Sequence, residues 1–213
     1  MEAKMIEKNE KIYVAIGAIP TELEIKDVYP CERKAEIERC ASSRVKKEKY
    51  FAWELLRRAV EEKLNIPFES LCFEKNSSGK WVSDKIFFSI SHSDGVAAVA
   101  VAQKNVGVDI ESVKRHREGI ERQILTDAEL CDLENIPDEE KAEQVIKLWT
   151  KKEAYFKLLD EKHFAPKKIE TKDFISVTKS ITLENSEYAV SVCADGLTDG
   201  DILWSILTRK GEK

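Results

Sequence analysis

The 213-residue chain predicts an α+β protein built as two similar halves, residues 1–105 and 106–213. Three observations carry that expectation. Some segments alternate apolar and polar residues, as strands do, while others repeat apolar residues every three or four positions, as helices do. The order strand, helix, then a few antiparallel strands occurs twice. No long Pro/Gly/Ser linker separates the two runs, so the halves should pack closely. No residue-level repeat accompanies this order of elements.

Each element has its own signal. Ile12, Val14 and Ile16 alternate with Tyr13 and Ala15, a short strand closed by Gly17 and Pro20. From about Glu32 to Leu64 the spacing turns helical, through Ile37, Ala41 and Val45 and then Ala52, Leu55, Leu56 and Ala59. Ser42 or Ser43 is placed to cap a second helix there, and Pro67 ends the run. Leu71 to Phe73 suits a strand, and Asn76-Ser77-Ser78-Gly79 a turn. Ile86–Ile90 and Val96–Ala102 read as strands joined by a tip from Ser91 to Gly95, with Asp94-Gly95 as the tight turn. Val106 to Glu111 is a further strand. Residues 127 to 143 hold eight acids against one base, Lys141, and must be mostly solvated. A helix follows over Val145 to Leu159. The tail alternates through Tyr188, Val190, Val192 and then Ile202, Trp204, Ile206, with Gly196 to Gly200 marking a terminal hairpin.

Composition narrows the function. Hydrophobic residues make up 42% and charged residues 35%, with a formal net charge of −5. That balance excludes collagenous and disordered chains and argues against a uniformly basic nucleic-acid binder. The longest apolar run, Val96–Ala102, is too short to cross a bilayer. No apolar signal core follows the first charges, so a cytoplasmic protein is expected. The five cysteines, at 31, 40, 72, 131 and 193, are scattered without a Cys-x-x-Cys and suit reduced thiols.

Four groups of residues could do chemistry. Asp109 and Glu111 are two apart on a strand and so share a face. Two carboxylates held together invite a cation, and hard oxygen donors favour magnesium. A solvent-facing strand edge would show the same two acids. Trp149, Glu153 and Lys157 are four apart on a helix, which lines up a third carboxylate with a lysine; an ordinary surface Glu–Lys pair has this spacing too. Ser91-His92-Ser93 offers hydroxyls and an imidazole to a phosphate, without the Gly-x-Ser-x-Gly of a nucleophile elbow. Residues 33 to 58 hold nine bases against four acids, a patch for a polyanion or else a solvated helix face. Lys80, beside Gly79, can join that patch. Together these groups suit magnesium-assisted attack on a phosphate.

In combination the blocks resemble the 4′-phosphopantetheinyl transferases of the surfactin-synthetase-activating (Sfp) type. Gly79-Lys80 followed by Phe88-Ser89-Ile90-Ser91-His92-Ser93 is similar to the family's Gly-Lys-Pro and Asn-Ile-Ser-His-Ser segments. Val106-Gly107-Val108-Asp109-Ile110-Glu111 resembles its Gly-Ile-Asp-Ile-Glu block, and Trp149 through Lys157 its Trp-x-x-Lys-Glu-Ala-x-x-Lys block. Asp109 and Trp149 are 40 positions apart, the family's usual separation. Trp81 stands where the family has proline, which loosens the placing of Lys80, and Ser89 where it has asparagine, with no evident chemical consequence.

The resemblance implies a fold of two α+β halves forming a pseudo-dimer, each an antiparallel sheet packed with a long helix, with the site in the cleft between. It implies transfer of 4′-phosphopantetheine from coenzyme A to a serine of an apo acyl or peptidyl carrier protein, releasing adenosine 3′,5′-bisphosphate. Asp109, Glu111 and Glu153 would hold Mg2+, with Lys157 beside the reacting phosphate. Ser91, His92 and Lys80 would contact coenzyme A. Arg33, Arg39, Arg44 and Lys49 are candidates for its 3′-phosphate. The general base would be Glu153, or Glu129 in the acidic stretch, or a water. A monomer is expected, with no nucleic acid and no membrane partner. A noncatalytic coenzyme A or nucleotide-binding module, or a magnesium-dependent phosphohydrolase, would use the same pocket.

Overall fold

A computed structural model describes residues 11–25 and 27–207. The protein is α+β. Its elements are β1 (Ile12–Ala18), α1 (Cys31–Glu38), α2 (Ser43–Ala59), β2 (Phe73–Lys75), β3 (Trp81–Ser83), β4 (Phe87–Ser93), β5 (Val96–Ala102), β6 (Val106–Ser112), α3 (Glu121–Ile124), α4 (Asp127–Glu134), α5 (Asp138–Leu159), β7 (Ser176–Leu183), β8 (Ser186–Ala194) and β9 (Ile202–Leu207).

Two main sheets form, ordered β4-β5-β1-β9 and β6-β8-β7, with a small β2-β3 pair beside them. Val14, Ile16, Ala98 and Ala100 of the first pack with Val108, Ile110, Val190 and Val192 of the second in one shared core. The other face of the first sheet, through Ala97, Val99 and Val101, meets Trp53, Leu56 and Val60 on and just beyond α2. The second sheet carries α5 on its outer face, where Ala154 and Leu158 pack with Cys193. Strand alternation makes this layering possible, because strands such as β5 and β6 bury both of their faces.

Four expectations need correction. The tail is not a terminal hairpin. β8 pairs with β6 and β7, whereas β9 crosses back and pairs parallel to β1, Val14 opposite Trp204. The first sheet is therefore mixed and takes in residues 202–207. Ser91, His92 and Ser93 are not a loop tip but the last rungs of β4, opposite Ala98, Ala97 and Val96. Only Asp94-Gly95 turns, with Asp94 at φ 43 and Gly95 at φ 82. The helix expected over 145–159 begins at Asp138, since the acids of its first turn suit the positive end of the helix dipole. The short strand expected at Leu71 forms two residues later, at Phe73–Lys75. Ser42, not Ser43, caps α2 by accepting from the Val45 amide.

Gly107 fixes how α5 meets the second sheet. A Cβ at this position would stand 1.9 Å from the Ala154 carbonyl oxygen, so only glycine lets the helix approach. That close approach brings one face of α5 onto the outward side chains of β6.

Candidate active site

The site begins on β6. Val106, Val108 and Ile110 point into the shared core, so Asp109 and Glu111 face outward toward α5. Beside them runs β4, whose Ser89, Ser91 and Ser93 share one face. The three hydroxyls stitch the two sheets where no backbone ladder joins them. Ser89 Oγ accepts from the Val108 amide at 3.0 Å. Ser91 Oγ donates to Asp109 Oδ1 at 2.7 Å. Ser93 Oγ accepts from the Ser112 amide at 3.2 Å and donates to Glu111 Oε2 at 2.6 Å. Ser89, where the family has asparagine, therefore has a structural task that its sequence position did not disclose. Ser91 is spent on Asp109, so its hydroxyl orients an acid.

Helix α5 supplies the opposite wall. Lys157 Nζ donates to Asp109 Oδ1 at 2.7 Å and to the Val108 carbonyl at 3.2 Å. Asp109 is 3% exposed, and its Oδ2 is buried without a hydrogen-bond partner. Glu153 is pushed up to about 7, first by burial and then by Asp109, with a smaller push from Glu111 and relief from Lys157. Glu111 is raised by burial, then lowered by the Ser93 hydroxyl, then raised by Asp109. The three acids are thus electrostatic neighbours that repel one another. They are not drawn into a finished cage: among the described residues, no three acids, histidines or cysteines are grouped closely enough to hold a metal ion. The donor set still fits a hard divalent cation. It offers an orphaned carboxylate oxygen and two further acids whose negative charge lacks full compensation.

Two openings flank these acids. One is a cleft of about 270 Å³ lined by Arg33, Lys49, Lys80, His92 and Lys157 together with Trp81, Phe88 and Ile90. None of the described residues lining it is acidic. The other, of about 540 Å³, is lined by Ile120, Ile124, Ile146 and Trp149, by Lys114, Arg115 and Arg117, and by the acids Asp94 and Glu111. Trp149 thus lines the second opening and Lys157 the first, eight residues along the same helix face, and Glu153 lies between them. The arrangement suits an elongated ligand with a strongly anionic end, a charged middle and a less polar arm.

The remaining candidates separate clearly. Lys80 donates to the Lys157 carbonyl at 2.7 Å, and burial lowers its pKa. Trp81, the departure that loosened its placing, anchors the hairpin instead: its Nε1 donates to Glu36 Oε2 at 2.9 Å. Asn76 and Ser78 of the same turn bond Asp160 at the end of α5, so the first half grips the second there. Arg33, 7% exposed, lies over the Trp53 ring and pairs with Glu36, and its Nε is buried without a partner. Lys49 reaches Glu36 at 3.5 Å. Arg39 is exposed at the end of α1 and does not line the cleft. Arg44 does not line it either, because its guanidinium is committed to Glu48 and Asp94, each at 2.9 Å.

Glu129 has an architectural role. It completes a capping box with Thr126, accepts from the Thr171 amide and hydroxyl, and pairs with Lys152 at 2.5 Å. Despite burial, Lys152 and the donors of Thr126 and Thr171 hold its carboxyl below the usual carboxylate range, which makes it a weak base. Sequence reasoning passed over Lys152, Glu36 and Glu48. Their visible signals were weak: a lysine beside Glu153, and acids three or four residues from Arg33 and Arg44 within a basic stretch.

The half that carries β6 and α5 matches a known family. The family described as the 4′-phosphopantetheinyl transferase superfamily matches residues 105–205. The 4′-phosphopantetheinyl transferase gsp of Aneurinibacillus migulanus is 34% identical over 113 residues, 53% of this chain and 48% of that protein. The 4′-phosphopantetheinyl transferase psf-1 of Bacillus pumilus is 34% identical over 107 residues, 49% of this chain and 46% of that one. The 4′-phosphopantetheinyl transferase HetI of a Nostoc species is 26% identical over 163 residues, 67% of this chain and 69% of its own length. The chain therefore spans about half the length of the first two relatives it matches.

Proposed function

We propose that this protein, whose residues 105–205 match the 4′-phosphopantetheinyl transferase superfamily, transfers 4′-phosphopantetheine from coenzyme A to a serine hydroxyl of an apo acyl or peptidyl carrier protein. The second product is adenosine 3′,5′-bisphosphate. The observation that carries the proposal is one face of α5, on which Lys157 lines the cationic cleft, Trp149 lines the second opening, and Glu153 between them is an electrostatic neighbour of Asp109 and Glu111.

Each part of coenzyme A has a complementary surface in this arrangement. Its 3′-phosphate end suits the cleft of Arg33, Lys49, Lys80 and His92. Its pyrophosphate suits the acids and Lys157, and its pantetheine arm the second opening. There Lys114, Arg115 and Arg117 favour a partner with negative surface charge. Asp109, Glu111 and Glu153 would hold Mg2+; when bound, the ion neutralises the pyrophosphate and the three acids together. Lys157 stabilises charge developing on the leaving group. Ser91 and Ser93 hold Asp109 and Glu111 in fixed orientations, so little reorganisation remains at the moment of reaction. Glu153, raised to about 7 without the ion, is placed to accept the serine proton directly or through a water, and the bound ion would lower its proton affinity.

The pseudo-dimeric reading fits a site between two sheets that share one core. One chain supplies both walls, which supports a monomer. No described helix is long and apolar enough to cross a membrane; we place the protein in the cytoplasm. The test is direct. Intact-mass measurement of an apo carrier incubated with the protein, coenzyme A and magnesium should show the gain of one phosphopantetheine. Cleaved coenzyme A beside an unmodified carrier would replace transfer with hydrolysis, and no change in either would leave a binding module.

A further inference from the structure

Glu48 takes no part in the proposed transfer, yet it is 6% exposed among the bases of α2. Its two oxygens are used differently. Oε1 accepts from Arg44 Nε at 2.9 Å, and Arg44 Nη2 continues to Asp94 Oδ1 at 2.9 Å. Oε2 lies 3.3 Å from His92 Nδ1. The chain Asp94–Arg44–Glu48 thus holds the imidazole by one nitrogen. His92 also lines the cationic cleft, so Nε2 is the nitrogen left for a ligand.

The ring is placed between opposing influences. Glu48 favours its protonated form. Burial disfavours that form more strongly, and Lys157, Lys49 and Arg33 act in the same direction. Without an anion in the cleft, His92 is therefore held neutral at pH 7 and above. A phosphate beside Nε2 adds negative charge on the side opposite Glu48 and reverses that balance. Arg33, whose guanidinium pairs with Glu36, adds a further positive charge to the lining of the same cleft.

We propose that Glu48 is a positioning residue that makes His92 a proton-taking phosphate clamp. When a phosphate monoester enters the cleft, Nε2 takes one proton from solvent while Nδ1–H stays against Glu48. The imidazolium then bridges the two anions. The inference rests on the cleft being the coenzyme A site. Glu48 also repels the ligand directly, but from behind the imidazole ring. Losing an imidazolium in contact with phosphate outweighs losing that more distant repulsion, because Coulomb energy falls with separation.

The experiment is calorimetric titration with adenosine 3′,5′-bisphosphate at pH 7.5 in two buffers of different ionisation enthalpy. The wild-type protein should take up close to one proton per ligand, and His92→Phe none. Glu48→Gln should take up far less and bind about tenfold more weakly, the equivalent of one pKa unit. Undiminished uptake by Glu48→Gln, or none by the wild type, overturns the proposal. Should Glu48→Gln fail to fold, the clamp is still decided on His92 of the wild-type protein. It has only three histidines, 92, 116 and 163, and His92→Phe assigns the ring signal. The NMR midpoint of His92 should rise on adding the bisphosphate; an unmoved midpoint overturns the clamp. Proton uptake without carrier modification would sink the transferase reading and spare the clamp, and modification without uptake would do the reverse.

Discussion

Helix α5 carries two lysines, each paired with an acid, and the pairs have opposite characters. Lys152 is fully buried, and its ammonium meets Glu129, the Ile124 carbonyl and the Pro166 carbonyl. Glu129 in turn has the Thr126 amide and both Thr171 donors. Charge and hydrogen-bonding capacity are satisfied, and the pair ties α3, α4 and the 166–168 turn to α5. Lys157 is partly exposed, and its partner Asp109 keeps one oxygen buried and unpaired beside two more acids. The first pair is an architectural tie. The second is left electrostatically incomplete, as a site awaiting a charged ligand must be.

Breaking the closed pair should have the largest effect on stability. Lys152→Ala leaves Glu129 buried without its cation, a loss of about 3–5 kcal/mol, read as a lower midpoint in urea unfolding. A small change would mean that the tie is dispensable. Asp109→Asn tests the open pair. Carrier modification should fall about 100- to 1,000-fold, the scale of losing one charge-stabilising group in an active site, while the unfolding midpoint holds or rises. A parallel drop in stability would make Asp109 as architectural as Glu129.

The smallest effect is the pH response, and it should differ in sign between the two acids. Below about 4.5 Glu153 is protonated in both folded and unfolded chains and contributes nothing. Between 4.5 and about 7 the unfolded chain has released a proton that the folded protein keeps, so stability falls as pH rises. Glu153→Gln should remove that fall and leave the protein on the order of 2 kcal/mol more stable at pH 8. Glu129 is lowered despite its burial, by Lys152 and the threonine donors, so its contribution is present above its unfolded value and lost as pH falls. Urea midpoints at several pH values for Glu153→Gln and Glu129→Gln check both slopes; equal slopes would erase the distinction.

Local chemistry was legible without coordinates. The period-two pattern of Val106–Glu111 placed Asp109 and Glu111 on one face, and the spacing of four on α5 aligned Trp149, Glu153 and Lys157, because both depend only on backbone geometry. Partner identity was not legible. Arg44 and Arg39 look like Arg33 in sequence, yet only Arg33 lines the cleft, because Arg44 is 50 residues from the Asp94 that helps hold it. The return of β9 to β1 was hidden too, since a strand shows which faces it buries but not which edge it joins.

The amino-acid order alone determined the α+β class, the strands and helices that bear the acids, and the type of chemistry those acids invite, since these follow from neighbours a few residues apart. Only the tertiary structure decided which acid is sealed and which is left open, which hydroxyls hold Asp109 and Glu111, and which carboxylate meets His92. Those outcomes depend on charges and hydrogen bonds between residues far apart in the chain, whose strength is set by how packing excludes water around them.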